Sequence, residues 1–175
     1  MIRPARLSDV PQVSAIYDKL HEKEARGEGV TGWIQGVYPT EATAREALAR
    51  QELFVLERAG KVLAAAKLNQ EQVPEYALCR WSVDAPADQI MVLHTLVVDP
   101  EAAGQGLGRE FVAFYEAYAR EHGCRYLRMD TNEKNLPARR LYGKLGYREA
   151  GIVPCEFNGI PDVQLVCLEK TLEGE

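Results

Sequence analysis

The chain has 175 residues, of which 46% are hydrophobic and 27% charged, and its formal net charge is -5. That length and balance describe a single domain, residues 1–175, long enough to bury a core. The acidic balance argues against a nucleic-acid partner, because phosphate binding needs a positive face, and no run approaches the roughly 20 apolar residues of a membrane span.

In chain order, residues 2–6 alternate as a short strand. Ser8 and Asp9 then suit a helix start, with Pro11 tolerated in the first turn. Val10, Val13, Ile16, Tyr17 and Leu20 recur at helical spacing, and the pattern fades at 27–29. Residues 30–39 are irregular, with Trp33 and Tyr38 on a Gly-rich frame. A second helix is expected from Thr40 to Arg50, followed by a strand–turn–strand over 53–57 and 62–68. A further strand is expected around 76–83 and an apolar one over 91–98, ended by Asp99-Pro100. The helix after that carries Leu107, Phe111, Phe114, Tyr115 and Tyr118 on one side and closes at Gly123. A strand over 126–131, a helix over 135–144 closed by Gly146, and strands over 147–157 and 163–168 complete the chain. Interleaved strands and helices without repeats give one α/β or α+β domain.

Gly104, Gly106 and Gly108 alternate in the turn between the apolar strand and the long helix. Glycines there let the backbone approach a ligand, and a helix start points unpaired N–H groups at it, which outlines a diphosphate site. A dinucleotide fingerprint would need glycine where Arg109 stands, and a P-loop would need Gly-Lys followed by Ser or Thr. The competing reading is a turn that simply needs glycine.

A second block, Asn135-Leu136-Pro137-Ala138-Arg139-Arg140-Leu141-Tyr142-Gly143-Lys144-Leu145-Gly146-Tyr147, follows one helix and one strand later. With its pattern N-x-x-A-x-x-L-Y-x-K-L-G-Y and the G-x-G of residues 96–109, the sequence resembles the GNAT superfamily of N-acetyltransferases. Ile2-Arg3-Pro4-Ala5 and the closing strand extend the likeness over essentially the whole chain. One departure is Ala103, where the superfamily usually has Gln or Arg; Gln105 or Arg109 could replace that contact.

The resemblance implies an α/β (α+β) GNAT fold with a mixed, splayed central sheet of about six to seven strands flanked by helices. It implies acetyl-CoA as co-substrate, its pantetheine arm paired with Leu96, Val97 and Val98. The diphosphate would lie on Gly104, Gln105, Gly106, Leu107, Gly108 and Arg109, and the second block would add Asn135, Ala138, Tyr142 and Lys144. Tyr142 matches the tyrosine that protonates the CoA sulfur in many members; Asn135 also reads as a helix cap.

A primary amine titrates near ~10.4, so freeing it at pH 7 costs roughly 4–5 kcal/mol and calls for a base or water chain. His94, in an apolar strand, is the candidate, and some aromatic-amine acetyltransferases of the superfamily carry a histidine at the matching position; a buried, hydrogen-bonded core histidine is the other reading. His21 and His122 read as solvated. Trp33, Tyr38, Trp81 and Phe157 are candidates for the acceptor pocket, with Tyr17 beside them. A small-molecule amine is the expected acceptor, since no added recognition domain is visible. A catalytically silent CoA-binding domain is the alternative, and Tyr142 with a usable base favours the enzyme. Cys79, Cys124, Cys155 and Cys167 form no C-x-x-C pair, so reduced thiols and no metal are expected. Residues 1–6 carry charge and lack the apolar run of a secretory signal, so a cytoplasmic protein is expected. A homodimer is compatible with the sequence.

Overall fold

The computed structural model describes residues 1–174. Its elements follow the order β1 (Ile2–Pro4), α1 (Val10–Ala25), α2 (Glu41–Ala49), β2 (Leu53–Arg58), β3 (Lys61–Asn69), β4 (Ile90–Val98), α3 (Leu107–Glu121), β5 (Tyr126–Asn132), α4 (Leu136–Lys144), β6 (Arg148–Phe157) and β7 (Ile160–Thr171). The entry to α1 is fixed by Asp9 rather than Ser8. The Asp9 carboxylate accepts from the Arg6 N–H at 2.7 Å and from both terminal nitrogens of Arg3 at 2.8 and 3.0 Å. The two carboxylate oxygens accept all three bonds; a serine hydroxyl, with one oxygen and two lone pairs, cannot.

Seven strands form one sheet in the order β1-β2-β3-β4-β5-β7-β6. Every neighbouring pair is antiparallel except β4–β5, which the intervening helix α3 makes parallel. Helices α3 and α4 cover one face, over Phe54, Leu68, Met91, Leu93, Leu127 and Met129. Helices α1 and α2 cover the other face at the β2–β3 end, over Leu53, Val55, Val62, Ala65 and Val97. Phe111 and Tyr115 of α3 are fully buried, so truncating either to alanine should cost about 3–5 kcal/mol.

The expected strand over 76–83 does not form. Residues Pro74–Leu78 make a 3-10 turn that lays Tyr76 onto the sheet beside Ile90, Val92 and Leu165. Here the alternation of apolar and polar residues reflects a segment crossing the face of the sheet, not an added edge strand. Trp81 completes this cover: its ring lies 5.3 Å from that of Tyr76 and its Nε1 donates to the Tyr76 carbonyl at 2.8 Å.

Two features of β4 open the sheet. Its pairing with β5 runs only from Ile90 opposite Tyr126 to Leu93 opposite Met129. Beyond that point β5 stays with β7 through Asn132, while β4 continues to Val98 along β3 alone. Between the pairs Lys67–His94 and Ala65–Val97, β4 spends one residue more than β3, and Thr95 takes up the excess at φ +51°. A β-branched residue there is strained by about 1–3 kcal/mol, and the bulge returns Leu96 and Val98 to the α3 side. At the root of the splay the Tyr115 hydroxyl lies 2.6 Å from the Met91 carbonyl and 3.1 Å from that of Arg128, spanning both strands.

Candidate active site

The splay opens a cleft of about 630 Å³ on the edge of β4 that β5 has left. One wall is backbone: Thr95–Val98, then the turn through Ala103, Gly104 and Gly106 to Leu107, Gly108 and Arg109. Gly104 and Gly106 hold φ of +81° and +72°, and a Cβ built on either would meet no atom within 4 Å, because both face the open cleft. Gly106 is the N-cap of α3, and the first intrahelical bond runs from the Glu110 N–H to the Gly106 carbonyl, so the preceding N–H groups are free for an anion. Gly108 serves packing as well: a Cβ there would stand 3.3 Å from Leu141 of α4.

The opposite wall comes from β5 and α4: Asp130, Thr131, Asn132, Asn135, Ala138, Leu141 and Tyr142. Asn135 caps α4 with its side-chain oxygen, 3.2 Å from the Ala138 N–H, and also lines the cleft, so its two readings are compatible. Tyr142 is buried, and burial pushes its phenol well above its ordinary range, which keeps the proton on the oxygen at neutral pH. Two residues expected here lie elsewhere. Lys144, at the end of α4, is exposed and outside the cleft wall, two residues beyond Tyr142 and so on a different face of the helix. Gln105 is exposed beside the turn, outside the lining, whereas Arg109 reaches it.

A second cleft, also about 630 Å³, lies across the sheet and is lined by Glu46, Lys67, Glu71, His94 and the 72–74 segment, among others. The two clefts share four wall residues: Tyr38, Thr95, Asp130 and Phe157. The Tyr38 and Thr95 hydroxyls hydrogen-bond to each other. The Tyr38 ring stands edge-on to those of Trp33 and Phe157, each 5.8 Å away. Of the four aromatic candidates, Trp33, Tyr38 and Phe157 therefore meet at the cleft junction. Trp81 does not: it lines neither cleft, and the Arg128 guanidinium lies 4.1 Å above its ring. Tyr17 is almost wholly buried at the base of the second cleft.

His94 lines the second cleft but not the first. Its Nε2 stands 2.7 Å from Asn69 Oδ1, which also accepts from the Glu71 N–H, while Asn69 Nδ2 donates to Glu52. That network makes the His94 Nε2 the donor. Burial, with Lys67 adding to it, pushes the imidazole down to about 4, so it is neutral at pH 7. His21 is not solvated: it is buried one turn after Tyr17, and its Nε2 donates at 2.8 Å to the carbonyl of Pro39, anchoring the loop that carries Tyr38.

Sequence reasoning missed Asp130. It lies in β5 between Met129, which is buried, and Thr131, and Tyr76 donates to its Oδ2 at 2.6 Å. The available signal was weak: an acidic residue directly after Leu127-Arg128-Met129 in a strand that also carries Thr131 and Asn132. Among the described residues no cluster of His, Cys, Asp and Glu could hold a metal ion, and no helix is long and apolar enough to cross a membrane.

The sequence profile of the Acetyltransferase (GNAT) family matches residues 16–147. The chain belongs to this family. Its GNAT architecture extends to solved relatives: an acetyltransferase of the GNAT family from Streptococcus agalactiae superposes with a TM-score of 0.82 at 20% identity, over 99% of this chain and 96% of that one. YncA from Salmonella typhimurium, described as a putative acetyltransferase with its cofactor acetyl-CoA, gives 0.70 at 21% identity, covering 100% and 95%. Among curated GNAT relatives, the uncharacterized N-acetyltransferase YhfO of Bacillus subtilis is 25% identical over 148 residues, 85% of this chain and 89% of its own length. Another is matched over only 75 residues, 33% of its length.

Proposed function

We propose that the chain transfers the acetyl group of acetyl-CoA to a primary amine of a small molecule, by direct attack of the amine on the thioester. The observation that carries this reading is the pair of clefts that meet at one wall in the splay, one walled by free backbone and the other by side chains. In this reading the first cleft takes the cofactor. Leu96, Val97 and Val98 offer unpaired strand groups to the pantetheine amides, and the turn from Gly104 to Arg109 cradles the diphosphate. Small volume favours a small acceptor, since about 630 Å³ lies within the usual range for small-molecule pockets.

The residues divide the work by their surroundings. Tyr142 keeps its proton at neutral pH and is placed to give it to the departing sulfur. Trp33, Tyr38 and Phe157 form the rim across which the amine meets the thioester. We assign His94 to the acceptor side as an orienting group: an imidazole held down to about 4 has little capacity to take a proton from an ammonium group near ~10.4. The test is a panel of primary amines assayed for CoA release, together with calorimetric binding of acetyl-CoA. Release with at least one small amine is expected; tight acetyl-CoA binding with no release across the panel would leave a binding domain instead.

A further inference from the structure

We propose that Asp130 is the catalytic base of this transfer, taking a proton from a primary ammonium acceptor that enters through the second cleft, and that Tyr76 positions it. The inference rests on the acetyl-transfer reading and adds the missing proton acceptor. Of the four residues common to both clefts, Phe157 and Thr95 are not bases. Burial pushes the Tyr38 phenol up to about 12, so it too stays protonated. Asp130 is the remaining one, and it stands where the nucleophile must pass.

The other carboxylates of the second cleft are less suited. Glu71 is hydrogen-bonded by Arg50, which lowers its pKa, and Glu46 is exposed; neither lines the cofactor cleft. His94 is tied to Asn69 and also stays on the acceptor side. Desolvation raises Asp130 to about 6 against the hydrogen bond from Tyr76, which lowers it, with Glu75 pushing further up. Asp130 is thereby a stronger base than His94 and still ionised at pH 7. The titratable and charged groups around it are Tyr76, Glu75 and Cys79 from the 74–79 segment, Tyr38 from the acceptor loop, Tyr142 from α4, Cys155 from β6 and Cys167 from β7. The proposed acid and base line the same first cleft, and the Asp130 charge is felt by the Tyr142 phenol.

The protons balance. Asp130 takes one from the ammonium group, and the freed nitrogen pair forms the C–N bond as the C–S bond breaks. Tyr142 gives its proton to sulfur and is restored by the second nitrogen proton. The products are the amide and the free thiol, and Asp130 passes one proton to water.

The experiment is the pH dependence of kcat/KM for the wild type and three variants, with an amine from the panel that supports CoA release. The wild type should show an acid limb near pH 6. Asp130→Asn should lose that limb and at least ~10² in kcat/KM, while binding acetyl-CoA within about twofold of wild type. Tyr76→Phe should lower kcat/KM at pH 8 by less than Asp130→Asn does and move the limb upward, because the bond it removes holds the carboxylate and favours its ionised form. A merely structural role for Tyr76 would not move the limb. The proposal is overturned if Asp130→Asn keeps the limb, if Tyr76→Phe leaves it in place, or if His94→Gln abolishes it. A wild type that binds acetyl-CoA and releases none with any amine removes the transfer reading and the base with it. A wild type that turns over, with an unchanged profile in Asp130→Asn, removes the base alone.

Discussion

The two clefts enclose the same volume with different materials. The first offers mostly backbone: a strand edge released by the splay, two glycines at positive φ and a helix start, contributed by residues 95–109, faced by 130–142. The second offers side chains, Glu46, Lys67, Glu71 and His94, gathered from α2, β3, β4 and the segment after β3. A backbone surface suits a ligand whose amides and phosphates are always the same; a side-chain surface can be changed one residue at a time without disturbing the sheet. On the proposed reading, that contrast would let the cofactor surface stay constant across a large acetyltransferase family while the acceptor is set locally.

The sharpest way to separate the two titrating groups is through stability. His94 is held down to about 4, below its ordinary ~6.5, so as pH falls through that window the unfolded chain gains a proton that the folded chain refuses, and up to ~3 kcal/mol is lost. Asp130 is held up to about 6, above its ordinary ~3.9, so between pH 6 and 4 the folded chain binds the extra proton and up to ~3 kcal/mol is gained. The two effects oppose each other in the wild type. Asp130→Asn should therefore lose stability more steeply than wild type between pH 6.5 and 4, and His94→Gln should shift the slope the other way. Urea unfolding across that range measures both; two variants with the wild-type slope would mean that neither group is perturbed by its site.

Tyr142→Phe tests the side-chain wall of the first cleft. It should lower kcat by ~10²-fold, about 2.7 kcal/mol, with acetyl-CoA affinity retained. Wild-type turnover would assign sulfur protonation to water. Gly106→Val tests the backbone cleft alone. A β-branched side chain at φ +72° is strained and projects into the cleft, so acetyl-CoA should bind at least tenfold more weakly, about 1.4 kcal/mol, in a protein that stays folded. Calorimetry giving an unchanged Kd would move the diphosphate off this turn. The smallest effect is expected at Trp81→Phe, which removes the hydrogen bond to the Tyr76 carbonyl: about 1 kcal/mol of stability, with the amine KM unchanged. A raised KM there would return Trp81 to the acceptor site.

By itself the sequence determined what is local. The helix over 107–121 follows from its apolar spacing, the turn from its glycines, and the cap of α4 from Asn135, because each depends on residues a few positions apart. The two blocks at 96–109 and 135–147 were sufficient for the fold. Only the tertiary structure decided which side chains share a space. Trp81 and Asp130 are both polar-tipped residues in apolar surroundings, yet Trp81 is folded under Arg128 as cover while Asp130 is turned into the junction beneath Tyr76. Their difference comes from a side-chain hydrogen bond between residues 54 positions apart: a 3-10 turn laid over the sheet brings the Tyr76 hydroxyl to Asp130, while Trp81 beyond that turn folds back onto Tyr76. Pairing at that distance is fixed by the packing of the whole sheet, and no short pattern along the chain encodes it.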